Sequence, residues 1–260
     1  MLEKHCTGNW KNIIKTHKRL EYRNIWRLFM KLICLTYAGG NATFYDQLQK
    51  ELSESVEVIA MEYAGHGQRH KEPFYKTFDE LSRDLLRQLK EKVAVGEDYA
   101  IMGYSMGSIS TVELLKRILQ DPTLNNPVHI FLAAHEPATK KELKNYADNE
   151  MNETVKKRTV EFGGIPQVLV NNESFWRMYL PIYKADYTLI GTYKFEELNL
   201  KTDIPATVFF SESDTPYEKM QAWNNYFTNK CEFVQYEGNH FFIYEHYSEI
   251  AKIIENRLGI

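Results

Sequence analysis

Residues Gly103–Gly107 (GYSMG) have the pattern G-x-S-x-G, in which the serine can act as a nucleophile. A strand, Tyr99–Gly103, is predicted before this serine, and a helix, Met106–Leu119, is predicted after it. Such a sharp strand-to-helix turn lifts the serine hydroxyl clear of a sheet and places it at a helix N-terminus, where backbone N–H groups bind negative charge. We therefore predict that Ser105 is the catalytic nucleophile and that the backbone N–H of Met106 belongs to an oxyanion hole.

A histidine must accompany the serine, because a hydroxyl is a weak nucleophile until a base removes its proton. Of the eight histidines, His240 is predicted to be this base, since its loop, Gly238–Phe242, follows the last predicted strand. His66 and His70 lie in a polar loop after the second strand and are expected at the surface or the pocket rim. His135 ends a strand and could line the pocket, but it precedes the expected acid in the chain.

A carboxylate must orient the imidazole and stabilise its charged form. Asp214 lies in a turn after the predicted strand Pro205–Ser211, and catalytic groups collect at the carboxyl ends of strands in parallel sheets. Its place between Ser105 and His240 matches the chain order nucleophile, acid, base. Asp214 is therefore the predicted acid, and Glu212 is its nearest rival.

A second oxyanion donor is expected in the loop after the first strand. That loop, Tyr37–Ala42 (YAGGNA), is rich in glycine, and we assign the role to the backbone N–H of Ala38. Gly39 and Gly40 could instead serve only to shape a tight turn, and the two roles are compatible.

The elements that must position these groups alternate between short apolar runs and longer amphipathic stretches. Strands are predicted at Lys31–Thr36, Val56–Met61, Tyr99–Gly103, Val128–Ala134, Pro205–Ser211 and Cys231–Glu237. Helices are predicted at about Phe44–Glu54, Thr77–Val93, Met106–Leu119, about Tyr217–Phe227 and a last segment that ends near Leu258. Strands that alternate with helices pair in parallel, because each crossover helix covers a face of the sheet.

The alternation and the G-x-S-x-G motif together predict an α/β protein with the α/β-hydrolase fold, a mostly parallel central sheet with helices on both faces and a helical lid insertion. We expect residues 31–138 and 196–260 to form the hydrolase core and residues 139–195, which contain no convincing strand, to form the lid. Residues 1–30 are interpreted as an N-terminal extension of unknown role, although Met30, directly before the first strand, could be the translation start.

Composition excludes several other classes of protein. The net charge is −3, which argues against nucleic-acid binding, and no apolar run approaches the roughly 18 residues of a membrane helix. The three cysteines, Cys6, Cys34 and Cys231, are far apart, which fits a cytoplasmic protein without disulfide bonds. The histidines do not cluster and no dinucleotide motif occurs, so neither a metal nor an organic cofactor is expected.

From about Leu32 to its C-terminus the chain resembles the type II thioesterases that accompany nonribosomal peptide and polyketide synthases. The resemblance rests on the motifs above together with Tyr63–Arg69 (YAGHGQR), Trp223, and Leu180–Ile182 (LPI) and Ala185–Tyr187 (ADY) in the insertion. Four positions depart from residues common in that family without removing a catalytic group, namely Asn41, Ala64, His66 and Asn239.

The resemblance implies an enzyme that hydrolyses acyl or aminoacyl thioesters on the phosphopantetheine arm of acyl or peptidyl carrier protein domains. Nothing in the sequence demands more than a monomer. Ser105 would carry the acyl group, and the arm would belong to the partner, so the enzyme itself would need no cofactor. The alternatives are a chain-terminating fatty acyl thioesterase, a small-ester carboxylesterase and, from another class, a non-catalytic binding module on a hydrolase scaffold.

Two groups of side chains in the insertion have more than one interpretation. The basic residues are expected to form a solvated face with at most a weak attraction to an acidic carrier protein: Lys140, Lys141, Lys144, Lys156, Lys157 and Arg158. Four aromatic residues at helical spacing are expected to pack within the insertion, and some could also contact the acyl group: Phe175, Trp176, Tyr179 and Tyr183.

Overall fold

The computed structural model describes residues 29–138 and 142–260, so that residues 1–28 of the predicted extension lie outside it. Within the described residues six strands form one sheet, and every neighbouring pair is parallel. The strands are β1 (Met30–Leu35), β2 (Val56–Ala60), β3 (Tyr99–Tyr104), β4 (Ile130–Ala133), β5 (Ala206–Ser211) and β6 (Glu232–Tyr236). Each overlaps a predicted strand, which confirms the α/β fold class with a parallel sheet.

The order of the strands explains where a site can form. It is β2-β1-β3-β4-β5-β6, so that the chain adds β2 on one side of β1 and then crosses over to place β3 on the other side. The direction of winding reverses at this point, and the loops that follow β1 and β3 leave the same edge of the sheet side by side. Ligands in open parallel sheets bind at such a reversal. The topology thus brings the loop Tyr37–Ala42 next to Ser105.

Helices cover both faces of the sheet. They are α1 (Asp46–Glu51), α2 (Phe78–Lys92), α3 (Met106–Ile118), α4 (Asn152–Glu161), α5 (Glu173–Thr192), α6 (Tyr217–Met220) and α7 (Ile243–Leu258). Short 3-10 helices occupy Ala42–Tyr45, Gly67–Arg69, Asn149–Met151, Gln167–Leu169, Phe195–Glu197 and Gln221–Asn225. Alternate residues of β1 point to opposite faces: Ile33 packs in the apolar cluster that includes α2 and α3, and Leu32 packs in the cluster that includes α1 and α7.

Two predicted helices are shorter than expected. The segment predicted as Phe44–Glu54 is the 3-10 helix Ala42–Tyr45 followed by α1, and its first turn is capped by Asn41, whose side chain accepts a hydrogen bond from Thr43 N at 3.0 Å. The segment predicted as Tyr217–Phe227 is helical only in α6 and continues as the 3-10 helix Gln221–Asn225. There the buried indole of Trp223 donates to the carbonyl of His135 at 2.8 Å, a long-range contact that local periodicity does not contain.

The insertion, which we define as residues 139–195, lies between β4 and β5 in the chain, and its described part, residues 142–195, contains α4 and α5 and no strand. α5 is anchored to the sheet domain at its end, where Tyr193 OH donates to Glu113 of α3 at 2.8 Å. The division of the chain into a core and a functional lid stays a prediction.

Candidate active site

Ser105 stands in the turn between β3 and α3. Its backbone has φ 54° and ψ −116°, a conformation that costs a non-glycine residue roughly 1–3 kcal/mol and that persists only where the surrounding structure enforces it. Part of that enforcement is the hydrogen bond from Ser105 N to the carbonyl of Ala133 on β4, at 2.8 Å. The strained turn holds the side chain of Ser105 beyond the carboxyl edge of the sheet.

Both glycines of the motif are required by close approaches of the backbone. A Cβ on Gly103 would overlap the carbonyl of Gly107, and a Cβ on Gly107 would overlap the carbonyl of Leu35 at the end of β1. Any larger residue would push α3 away from β1 and β3. The motif is therefore explained by packing as well as by the exposure of the serine.

The predicted nucleophile, base and acid form one chain of hydrogen bonds. Ser105 Oγ lies 2.9 Å from His240 Nε2, and His240 Nδ1 lies 2.9 Å and 3.0 Å from the two carboxylate oxygens of Asp214. Ser105 and His240 are each 7% exposed, so the chain of contacts is largely shielded from solvent. Because a carboxylate accepts, Nδ1 carries a proton, and in the neutral imidazole Nε2 is then free to accept the proton of the serine.

His240 is held in place from several sides. Its backbone carbonyl accepts a hydrogen bond from Tyr104 OH at 2.8 Å, and the ring of Phe162, from the insertion, lies over the imidazole with centroids 4.5 Å apart. Its loop begins at Gly238, whose φ of +112° only glycine adopts readily. Ser211 Oγ, at the end of β5, donates to the Gly238 carbonyl at 2.5 Å, which ties the loop of the base to the strand that precedes the acid.

The two candidate acids are clearly separated by their contacts. The Asp214 side chain is 10% exposed and faces His240. Glu212 is exposed and accepts a hydrogen bond from Tyr217 N at 3.1 Å, at the start of α6. This places Asp214, and not Glu212, in the chain of contacts with Ser105.

Other histidines have different surroundings. His70 is exposed, as expected, but the expectation of a surface or rim position for His66 is wrong, because His66 is 2% exposed and paired with Asp186 of α5. His129 is buried in the sheet, 2.9 Å from Thr207 Oγ1, and its burial lowers its pKa to about 4. His135 lines the cavity in front of Ser105, as its position at the end of β4 allowed.

The two backbone groups predicted as oxyanion donors lie at the expected places in the fold. Met106 is the first residue of α3, and the first N–H groups of a helix have no partner within the helix. Ala38 lies in a turn closed by a hydrogen bond from Gly40 N to the carbonyl of Tyr37 at 3.0 Å, and it lines the same cavity as Ser105. Their role as donors stays a prediction.

Two cavities adjoin the candidate site. The first, which we call the catalytic cavity, has a volume of about 290 Å³ and is lined by Ser105, His240 and Asp214 together with Phe162 and Tyr187 of the insertion. The second, which we call the aromatic cavity, has a volume of about 430 Å³. The two share three lining residues, Tyr37, Gly164 and Tyr183, so that they meet at one wall.

The aromatic cavity lies beside the loop that follows β1. Seven of its lining residues are aromatic, namely Tyr37, Phe44, Phe175, Tyr179, Tyr183, Tyr244 and Tyr247. Its outer rim is exposed and polar, with Asp46 and Lys50 of α1. Of the aromatic residues expected to pack within the insertion, Trp176 and Tyr183 are buried, whereas Phe175 and Tyr179 are half-buried and line this cavity.

One residue of this region, Asp186, carried no catalytic prediction. Asp186 of α5 accepts hydrogen bonds from Gly39 N at 2.7 Å and from His66 Nε2 at 2.9 Å, and so connects the insertion to the loops after β1 and β2. A buried Asp is seldom left without partners, but the ADY segment alone does not reveal that Asp186 is buried. Among residues 29–138 and 142–260, no group of three or more His, Cys, Asp or Glu side chains could hold a metal ion, and no helix is long and apolar enough to cross a membrane.

Comparison with known proteins gives one consistent result. A family model described as "Thioesterase domain" matches residues 30–258. The medium-chain S-acyl fatty acid synthase thioesterase of Rattus norvegicus is 29% identical over 250 residues, with 90% of this chain and 91% of the relative covered. The gramicidin S biosynthesis protein GrsT of Aneurinibacillus migulanus is 23% identical over 237 residues, with 89% of this chain and 90% of the relative covered.

Solved structures agree with these sequence relatives. ClbQ, from the colibactin NRPS/PKS pathway, superposes with a TM-score of 0.80 at 26% identity, over 89% of this chain and 97% of that chain. BorB, described as the type II thioesterase of the borrelidin biosynthetic cluster, superposes with a TM-score of 0.76 at 27% identity, over 88% of this chain and 93% of that chain. These similarities confirm the α/β-hydrolase fold and the resemblance to type II thioesterases.

Proposed function

Because the chain belongs to the thioesterase family, we propose that it hydrolyses acyl or aminoacyl thioesters on the phosphopantetheine arm of carrier protein domains, as a type II thioesterase of nonribosomal peptide or polyketide synthesis. The observation that supports this most strongly is the chain of contacts from Ser105 through His240 to Asp214 at the wall of a cavity. The similarity to thioesterases from NRPS and PKS pathways supports the class of pathway.

The reaction uses the triad in two half-reactions. Ser105 Oγ attacks the thioester carbonyl while its proton passes to His240 Nε2, and the backbone N–H groups of Ala38 and Met106 stabilise the oxyanion. The C–S bond breaks, the pantetheine thiol leaves with the proton from His240, and the acyl group stays on Ser105 as an ester. Water, deprotonated by His240, then releases the acid and restores the serine. Asp214 holds the imidazole and stabilises its charged form throughout.

We place the two halves of the substrate in the two cavities. The catalytic cavity takes the acyl group, because Ser105 and His240 lie in its wall. The aromatic cavity takes the pantetheine arm, because it extends from an exposed polar rim to the wall of the catalytic cavity beside the turn that contains Ala38. Amphipathic Tyr side chains suit a ligand of amides and short apolar spacers.

The placement of the arm predicts a substrate-dependent effect of Tyr179→Ala. Tyr179 lines the aromatic cavity and not the catalytic cavity, so we expect KM for acetyl-pantetheine to rise about tenfold, as a loss of about 1.4 kcal/mol of binding gives. KM for nitrophenyl acetate, which has no arm, should stay within twofold. Steady-state kinetics on both substrates measure this. Equal increases for both substrates, or none for either, would contradict the placement.

A medium-chain fatty acyl thioesterase is the second candidate, favoured by the similarity to the fatty acid synthase thioesterase of Rattus norvegicus. The two functions differ in the acyl chain. With one carrier protein loaded with acyl groups of increasing length, the first function predicts the highest kcat/KM for short groups such as acetyl. A maximum at medium chain lengths would favour the second candidate.

Charge attraction contributes little to the proposed docking of a carrier protein on the insertion. Three of its lysines have acidic neighbours: Lys144 lies 3.9 Å from Glu142, Lys156 lies 2.7 Å from Glu153, and Lys157 lies 3.8 Å from Glu161. Arg158 instead lies over aromatic rings of the insertion. Lys140 and Lys141 lie outside the described residues. Recognition of the partner is therefore proposed to rest mainly on the arm.

A further inference from the structure

The buried carboxylate of Asp186 joins α5 to the turn that holds Ala38. Asp186 is 2% exposed, and a buried carboxylate must be paired to be tolerated. Its Oδ2 atom accepts from Gly39 N at 2.7 Å and from His66 Nε2 at 2.9 Å. One oxygen of the insertion therefore contacts the loops after two neighbouring strands, β1 and β2. Neither contact takes part in the proton transfers of the proposed reaction.

His66 provides a positive charge for this pair. Its Nε2 faces the Asp186 carboxylate and its Nδ1 lies 3.0 Å from the carbonyl of Ala64, so both ring nitrogens face acceptors. Only the doubly protonated imidazole can donate to both. Burial by itself lowers the pKa of His66, but Asp186, the hydrogen bond to Ala64 and the charge of Glu62 outweigh it and raise the pKa above its usual value. Asp186 is thus held as one half of a buried ion pair.

The hydrogen bond to Gly39 selects one form of the turn. Tyr37–Gly40 is closed by the bond from Gly40 N to the Tyr37 carbonyl, and Gly39 has φ +80°, the value that a type II turn requires at its third residue. Rotation of the peptide between Ala38 and Gly39 would convert the turn to type I. The Ala38 carbonyl would then point to the side where Gly39 N now donates to Asp186. A carboxylate at that position repels a carbonyl oxygen. Asp186 therefore stabilises the type II form.

The same helix also closes the turn sterically. Tyr183 lies one helical turn before Asp186, and its ring occupies the space in which a Cβ on Gly39 would lie. On the far side of the loop, Ala42 N donates to Glu62 Oε1 at 3.2 Å, a contact within the sheet domain. The turn is thus braced by α5 on one side and by the loop after β2 on the other.

We propose that Asp186 is a positioning residue that, with α5 seated on the sheet domain and paired with His66, anchors Gly39 and so fixes the place of the adjoining Tyr37–Ala38 peptide, whose N–H is the predicted oxyanion donor. Separation of α5 from the sheet domain would remove the acceptor of Gly39 N, so the complete oxyanion hole exists only when the insertion is seated. This inference rests on the proposed hydrolase function but not on the identity of the carrier protein.

The test compares Asp186→Ala, which removes the acceptor of Gly39 N, with a matched control, Tyr193→Phe, which removes another, partly buried hydrogen bond between the insertion and the sheet domain without touching the turn. A trifluoromethyl ketone that forms a tetrahedral adduct with Ser105 reports on the oxyanion hole, and the planar product acid reports on the cavity. We expect Asp186→Ala to lower kcat/KM for nitrophenyl acetate by about 10²-fold, because a small misplacement of a catalytic group costs about that much. It should weaken the ketone by a similar factor and leave the affinity for the acid within twofold.

Tyr193→Phe should leave kcat/KM, the affinity for the ketone and the affinity for the acid within about threefold of wild type. This should hold even if it lowers the melting temperature as much as the Asp186 variant does. Unchanged ketone affinity in Asp186→Ala, or an equal loss of ketone and acid affinity, would overturn the inference. If Asp186→Ala does not fold, His66→Gln serves instead: we expect a smaller loss in the same pattern, and unchanged ketone affinity would overturn the inference. A wild-type enzyme that neither hydrolyses the ester nor binds the ketone at Ser105 would overturn the hydrolase function itself, and this inference with it.

Discussion

Ser105→Ala is expected to lower kcat for thioester hydrolysis by about 10⁶-fold, the order found when the nucleophile of a Ser-His-Asp triad is removed. The hydroxyl 2.9 Å from His240 Nε2 is the group that would form the acyl-enzyme, and alanine leaves the imidazole without a nucleophile to activate. Substrate binding should change little, because the cavities keep their other walls. The measurement is kcat on acetyl-pantetheine, combined with the intact mass of enzyme quenched during turnover.

The mass measurement separates the nucleophile from its surroundings. Wild type should gain one acyl group, located on the peptide that contains Ser105, and Ser105→Ala should gain none. Ser213→Ala, a change of an exposed serine beside Asp214, serves as the control and should keep both the adduct and kcat. An acyl adduct on Ser105→Ala, or a loss of kcat of less than about tenfold, would assign the chemistry to another group.

Asp214→Asn is expected to lower kcat by about 10⁴-fold, while Glu212→Gln should leave it within twofold. Both oxygens of Asp214 lie within 3.0 Å of His240 Nδ1, and an amide there can turn its NH₂ group toward the ring. That arrangement stabilises the tautomer with the proton on Nε2, which cannot accept the proton of Ser105. Glu212 is exposed and accepts a hydrogen bond from Tyr217 N at the start of α6.

Steady-state kinetics of the two variants, with wild type and with circular dichroism as a folding check, decide between the two carboxylates. If Glu212→Gln were as inactive as Asp214→Asn, the loop after β5 would have to rearrange during turnover so that both carboxylates serve the imidazole. If Glu212→Gln alone lost activity, the proposed acid would be wrong.

The sheet and the proximity of Ser105, Asp214 and His240 could be predicted from the sequence because local patterns determine them. Each strand is a short apolar run between turn signals, and parallel pairing brings all the carboxyl ends to one edge. Ser105, Asp214 and His240 each follow a strand, so their meeting required only the correct set of strands and the chain order. The turn that contains Ser105 could be recognised from its two glycines, Gly103 and Gly107, which the close approach of the backbone requires.

The contacts of the insertion could not be predicted in this way. His66 was expected near the surface because it lies in a polar loop. It is buried because it pairs with Asp186, which lies 120 residues later in the chain. No local pattern contains that pairing. The same reason applies to the aromatic cavity, whose walls come from the loop after β1, the insertion and α7. The 3-10 segment Gln221–Asn225 likewise depends on the fixed position of Trp223 against His135.

The most direct test of the central claim is the release of acetate from an acetyl-loaded carrier protein, followed by the mass of the carrier, with wild type and Ser105→Ala in parallel. We predict that wild type returns the carrier to its free-thiol form with a higher kcat/KM than for nitrophenyl acetate, and that Ser105→Ala leaves it acetylated. Hydrolysis of the nitrophenyl ester with an untouched acetyl-carrier protein would contradict the carrier-protein assignment. Inactivity on both, with no labelling of Ser105 by a fluorophosphonate, would contradict the hydrolase mechanism and favour a binding module.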